Sequence, residues 1–66
     1  MKQYEKIQKD IAECDSAMEM AGYLNGINVA AVIFCKQNYP DEVCLTESGQ
    51  SEISVYGMKY FLENEV

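Results

Sequence analysis

The 66-residue sequence predicts an α+β fold: a long N-terminal helix, an antiparallel β-meander of two to three strands and a short C-terminal helix, in a truncated winged-helix-like arrangement. Three observations carry that expectation. Apolar residues recur at helical spacing through the first third of the chain. Turn residues and β-branched runs then punctuate the middle. The closing stretch, "SEISVYGMKYFLENEV", changes from strand to helix periodicity around Gly57.

Taken in order, residues 3–21 carry Tyr4, Ile7, Ile11, Cys14, Met18 and Ala21 at alternating spacings of three and four, which places them on one stripe of a helix. Glu5 and Lys9 form an i, i+4 pair in the favourable order. Gly22 is placed to end that helix. One long helix is the expected reading. Ser16 and Glu19 also fit a capping box, so a break into two helices near Asp15 is the alternative. The stripe is expected to pack on the chain's own sheet, with self-association through it as the competing use.

Asn25-Gly26 is a turn signal. Val29, Val32, Ile33 and Phe34 are β-branched or aromatic, so a strand is expected from about Ile27 to Lys36. The same residues obey helical spacing, and a second helix capped by Asn28 competes. "NYPDE", residues 38–42, is a turn with Pro40 at a favoured position. "EVCLTE", residues 42–47, alternates as a half-buried strand, and "SGQS", residues 48–51, is a polar loop. At the end, Ser54 occupies an N-cap position, with its oxygen free to accept the amide of Tyr56 or Gly57. The strand therefore stops at Ile53. Gly57 is expected to pack closely on the sheet, and Val55, Met58 and Leu62 to share the buried face.

A chain this short is a single domain, residues 1–66, whose core contributes only about 3–5 kcal/mol of net stability. Small domains commonly add disulfides, a metal or a partner subunit. Cys14, Cys35 and Cys44 are odd in number and form no CxxC pair, and the sequence has no histidine. Three apolar thiols in a reducing compartment are expected, with no metal and no cofactor. A second copy is then the natural source of stability, and a homodimer is expected. The longest apolar run, Val29–Cys35, is well short of a membrane span, and no signal-peptide segment opens the sequence. A cytoplasmic protein is the expectation.

Eleven acids against five lysines, with no arginine, give a net charge of −6. Arginine makes the bidentate contacts to phosphate and guanine, and negative charge repels a phosphate backbone. Direct nucleic-acid binding is disfavoured, while a basic protein surface is a natural partner. Without histidine there is no base titrating near neutrality, no cysteine or serine sits in a nucleophile setting, and no phosphate-cradling glycine loop is present. An enzyme is not expected. Five tyrosines, in contrast, provide the amphipathic rings that interfaces favour.

Gly22-Tyr23-Leu24-Asn25-Gly26 and the stretch from Ile53 to Asn64, "ISVYGMKYFLEN", together resemble the C-terminal half of the YjcQ-like winged-helix proteins of Gram-positive bacteria and their phages. Those proteins have a GYI-x-G strand and an "ITxKGxxYLxEN" segment entering a final helix; here Phe61 is one extra residue before Leu62. The resemblance implies that the helix before Gly22 is a recognition helix and the meander a wing. Yet the stretch that would touch DNA carries Glu13, Asp15 and Glu19 and no arginine.

The expected function is therefore a non-enzymatic protein-interaction module of a phage or mobile element. It would inhibit or modulate a host nucleic-acid-handling factor, such as a defence nuclease complex, as an anti-CRISPR protein does. The residues expected to contact that host protein are Tyr39, Asp41, Glu42, Glu47 and Glu52 around the hairpin ends, then Glu13 and Glu19 on the helix. The alternative is a small dimeric winged-helix-like transcriptional regulator using Lys2, Lys6, Lys9 and Lys36 on DNA.

Overall fold

The computed structural model describes residues 1–66. The chain runs through helix α1 (Gln3–Ala12), helix α2 (Ala17–Asn38), a single 3-10 turn (Pro40–Glu42), strands β1 (Val43–Leu45) and β2 (Ser51–Ile53), and helix α3 (Val55–Glu63). This is the expected α+β class, with one antiparallel pair and a short C-terminal helix. The long helix is α2, and its place in the chain differs from the sequence expectation.

Two boundaries are corrected. The single helix over 3–21 is broken: α1 ends at Ala12 and α2 begins after Ser16. The capping box prevails over the apolar stripe. Ser16 Oγ accepts the Glu19 amide at 3.1 Å, and the Glu19 carboxylate accepts the Asp15 amide at 2.9 Å. Two otherwise orphaned donors at the new N-terminus are thereby satisfied. The strand expected over 27–36 is the second half of α2, as the competing helical reading has it, although the helix starts earlier and is capped by Ser16, not Asn28. Gly22, Asn25 and Gly26 accordingly lie inside a helix and end nothing.

Packing explains why α2 continues. Tyr23, Ile27, Ala31, Phe34 and Cys35 recur at spacings of three, four and one, so their side chains fall on one helical face. Ala31 and Cys35 are fully buried there, and Tyr23, Ile27 and Phe34 pack around the core. Burial along this face outweighs the modest preference of valine and isoleucine for strands. With only Glu19 and Lys36 charged, α2 is also long and apolar enough to cross a membrane by length and composition. The asparagines and glycines interrupt the apolar run, so the sequence reading passes over it.

Strands β1 and β2 pair with Val43 opposite Ile53, Cys44 opposite Glu52 and Leu45 opposite Ser51. Thr46 closes the hairpin: its carbonyl accepts the Gly49 amide at 2.9 Å, and its hydroxyl accepts the Gln50 amide at 3.1 Å. Gly49 has φ +83°, a backbone conformation that other residues enter at a cost.

The joint into α3 forms as expected. Ser54 Oγ accepts the Gly57 amide at 3.0 Å, and its hydroxyl donates to the Glu42 carboxylate at 2.7 Å. The Ser54 amide donates to the Glu42 carbonyl at 2.9 Å. This cap sets the phase of α3 so that Gly57 and Phe61 face inward, with Met58 and Leu62 half-buried beside them. Val55, expected on that face, is instead 84% exposed, because the first residue after the cap points outward. A Cβ at Gly57 would lie 3.1 Å from Glu42 Cβ and 3.2 Å from Cys35 Sγ. The Cys35 thiol donates to the Gly57 carbonyl at 3.4 Å, and burial, followed by the nearby Glu42 charge, pushes its pKa up.

Ile7, Ala31 and Phe61 form the centre of the core, joining α1, α2 and α3. The two ends of the chain are tied beside it. Lys2 and Glu65 form an antiparallel bridge, the Gln3 amide donates to the Asn64 carbonyl at 2.8 Å, and the Val66 amide donates to the Met1 carbonyl at 2.9 Å. A clip joins the first two helices: Asp10 Oδ2 accepts the Tyr23 hydroxyl at 2.7 Å and the Lys6 ammonium at 2.9 Å.

Candidate functional site

A ladder of four rings runs outward from the core. Phe61 meets Phe34 edge-on at 5.7 Å between centroids, Phe34 meets Tyr39 at 5.9 Å, and Tyr39 stacks on Tyr60 at 4.4 Å with 27° between planes. Each step follows from local structure. Phe34 lies in the last turns of α2, and Tyr39 is the residue at which that helix ends, its amide donating to the Cys35 carbonyl. Tyr60 comes from α3 one residue before the buried Phe61.

The outer pair is a surface feature, with Tyr39 40% and Tyr60 38% exposed. Glu63, Asn64, Glu65 and Lys2 line the same shallow recess. Lys2 and the terminal ammonium both lie near Glu65, at 3.9 and 3.3 Å, so Glu63 carries the uncompensated charge. Asp41, exposed, follows Tyr39 by two residues. The arrangement is an apolar platform of stacked rings with acceptor groups on its rim, suited to cation–π and carboxylate contacts with a guanidinium.

The residues singled out in the sequence do not gather in one place. Tyr39 belongs to the platform and Asp41 is close to it in the chain. Glu42 is half-buried and committed to Ser54 at the α3 cap, so it serves the fold. Glu19 is likewise engaged, by the Asp15 amide. Glu47 lies in the hairpin loop, at the opposite end of β1 from Asp41. Glu52 is exposed on β2 opposite Cys44 and borders a different groove, shared with Val29, Ile33 and Lys36 of α2. Glu13 caps α1 and borders a recess with Lys6, Lys9 and Asp10.

Sequence reasoning missed Tyr60, Glu63 and Glu65 as parts of the surface. The buried face expected of the C-terminal helix includes Leu62 but not Phe61, and Tyr60, two residues before Leu62, was the available signal. Glu63 and Glu65 lie close to the end of the sequence, where charge is ordinarily solvated, whereas the bridge to Lys2 holds that end in place.

The lysines of the alternative reading are dispersed as well. Lys2 lies near Glu65 and Lys6 pairs with Asp10, while Lys36 lines the groove with Glu52, away from Lys9. Cys14 is half-buried, Cys35 buried and Cys44 exposed, all as free thiols. No group of three or more cysteines or carboxylates is arranged to hold a metal ion. The titratable groups with displaced pKa values belong to structural contacts. The Tyr23 hydrogen bond, then that of Lys6, holds Asp10 below the usual carboxylate range. Burial, reinforced by Asp10, pushes Tyr23 up to about 12. No protein-family model matches this chain, and comparison with curated proteins and with solved structures finds no match.

Proposed function

We propose that this chain is a non-enzymatic protein-interaction module of a phage or mobile element. It inhibits or modulates a host nucleic-acid-handling factor, such as a defence nuclease complex, as an anti-CRISPR protein. The observation that carries this reading is the half-exposed Tyr39–Tyr60 stack with the uncompensated Glu63 on its rim. Stacked tyrosines present a rigid contact area, and carboxylates beside them favour arginine. The net charge of −6 favours a basic groove that otherwise holds nucleic acid. Such a protein acts by occupation, so its partner should be displaced by the nucleic acid that the groove normally binds.

The test is capture from lysates of nuclease-bearing bacterial hosts, on immobilised wild-type protein and on Tyr39→Ala and Glu63→Lys variants. A specific partner should be retained by the wild type, lost from both variants and released by short duplex DNA. The reading fails if the chain itself binds duplex DNA near 0.15 M salt with affinity that falls steeply as salt rises. That result would favour the regulator, whose lysines are the positions to neutralise.

A further inference from the structure

We propose that the outward face of α2 is the seat of a second copy of this chain, so that the protein works as a two-fold dimer. The face consists of Met18, Gly22, Asn25, Gly26, Val29 and Ile33, opposite the side of α2 that carries Ala31 and Cys35. Met18 is 85%, Val29 53% and Ile33 52% exposed. The apolar surface continues from Val29 and Ile33 across a groove to Ile53 and Met58. It does not resemble a solvent-facing helix surface, which is usually polar.

Surface area is of the size that a second copy would cover. The chain exposes 4858 Å², whereas a compact monomer of its 7.5 kDa would expose about 4,250 Å². The excess, taken from two copies, is about 1,200 Å², at the lower end of what a specific interface buries. The dimensions agree. The molecule is 35 × 28 × 16 Å with a radius of gyration of 12.7 Å, against about 11 Å for a compact domain of this length. It is a slab, thin enough to take a second layer on the face of α2.

Charge favours a copy of the same chain over another partner. Residues 20–35 contain no charged side chain in a molecule of net charge −6, and the groove beside them holds Glu52 together with Lys36, so two such faces can meet with little opposition of carboxylates. A basic protein would find only Glu52 there, sharing its groove with Lys36. The glycines supply a further reason. A Cβ at Gly22 or Gly26 would meet nothing within 4 Å, so neither glycine is required by packing within the chain, and each weakens the helix interior. With Ala30 they make a row of small residues four apart, along which another helix can approach closely. A bilayer is a poorer occupant. The opposite side of α2 is held by Cys35 on Gly57 and Tyr23 on Asp10, and the amide of Asn25 would be left in hydrocarbon.

The tyrosine platform stays open in this dimer, because Phe34, which supports it, projects from the other side of α2. Two copies would then present two acidic-aromatic surfaces to one assembly, a bivalent arrangement.

Sedimentation equilibrium on the full chain, up to about 200 µM and at low and high salt, tests the inference. The wild type should reach a dimer that high salt does not dissociate. Gly26→Leu, in open space within one chain, and Ile33→Glu, at a half-exposed position on the groove, should keep the helical circular-dichroism spectrum and weaken association roughly a hundredfold. A wild type that stays monomeric throughout, or variants that dimerise as tightly as the wild type, would overturn it. So would a chain that remains monomeric in solution and co-sediments with phosphatidylcholine–phosphatidylglycerol vesicles. The oligomer measurement involves no host protein, so its failure is distinct from failure of the interaction reading.

Discussion

Gly57 and Gly26 are both helical glycines, yet their surroundings are opposite. At Gly57 the Cys35 sulfur, the Glu42 side chain and Ile53 crowd the space where a Cβ would go. Around Gly26 that space is empty. The first glycine lies where α2, the hairpin and α3 converge, next to the buried Phe61. The second lies on the face of α2 that nothing covers. One end of the molecule is thus packed to the limit of backbone approach, and the other is an unfinished surface. Stability should respond to substitution at the packed end, and association at the open face.

The largest effect should come from Phe61→Ala. Removing a buried ring costs about 3–5 kcal/mol, which matches the roughly 3–5 kcal/mol expected from a core this small. Circular dichroism should show a largely unfolded chain, and a cooperative urea transition close to that of the wild type would refute the account of the packed end. Gly57→Val comes next, at about 1–3 kcal/mol of overpacking, read as a lower urea midpoint. Ser54→Ala should cost about 1 kcal/mol through the lost cap and also leaves the Glu42 carboxylate without its hydroxyl donor.

Gly26→Ala should move in the opposite direction. In dilute solution, where the chain is monomeric, its melting temperature should rise, because alanine is favoured in a helix interior by up to about 1 kcal/mol. A lower melting temperature under those conditions would mean that the contrast between the glycines is false.

The smallest effect concerns pH. Tyr23 has a raised pKa in the folded chain, so its contribution is complete below the ordinary tyrosine value of 10.0 and is lost as pH climbs towards about 12. Asp10 is lowered, so its contribution is present above 3.8 and is lost as pH falls below that value. Tyr23→Phe should therefore remove part of the stability decline at both extremes. Equal pH profiles for the two proteins would show that the clip between α1 and α2 adds nothing.

The parts of the fold that were legible in the sequence are those fixed by short-range chemistry. Ser54 as a cap, Ile53 as the end of its strand and Gly57 as a close approach each follow from a few neighbouring residues. The start of α2 was legible only as the competing reading, because Ser16 and Glu19 had to be weighed against a stripe that crosses the break without interruption. The second half of α2 was the harder problem. Val29, Val32 and Ile33 satisfy both periods, and Ala31 and Cys35 become decisive only when Phe61 and Gly57 arrive from the far end of the chain. The candidate surface follows the same division. Tyr39 could be singled out from its proline turn, but its stacking partner Tyr60 is brought in by tertiary structure. Glu19 and Glu42 read as free carboxylates because nothing in sequence reveals that an amide or a hydroxyl will engage them.

The bridge between Lys2 and Glu65 has a practical consequence. Any segment fused to either terminus emerges at a single corner, and Lys2 and Glu65 also border the tyrosine recess. A purification handle at either end would shadow the surface that the capture experiment relies on. The hairpin loop around Gly49, at the far end of β1 and β2, is the better attachment point. The adjacent ends also make the chain suited to backbone cyclisation or circular permutation, with a new opening at that loop.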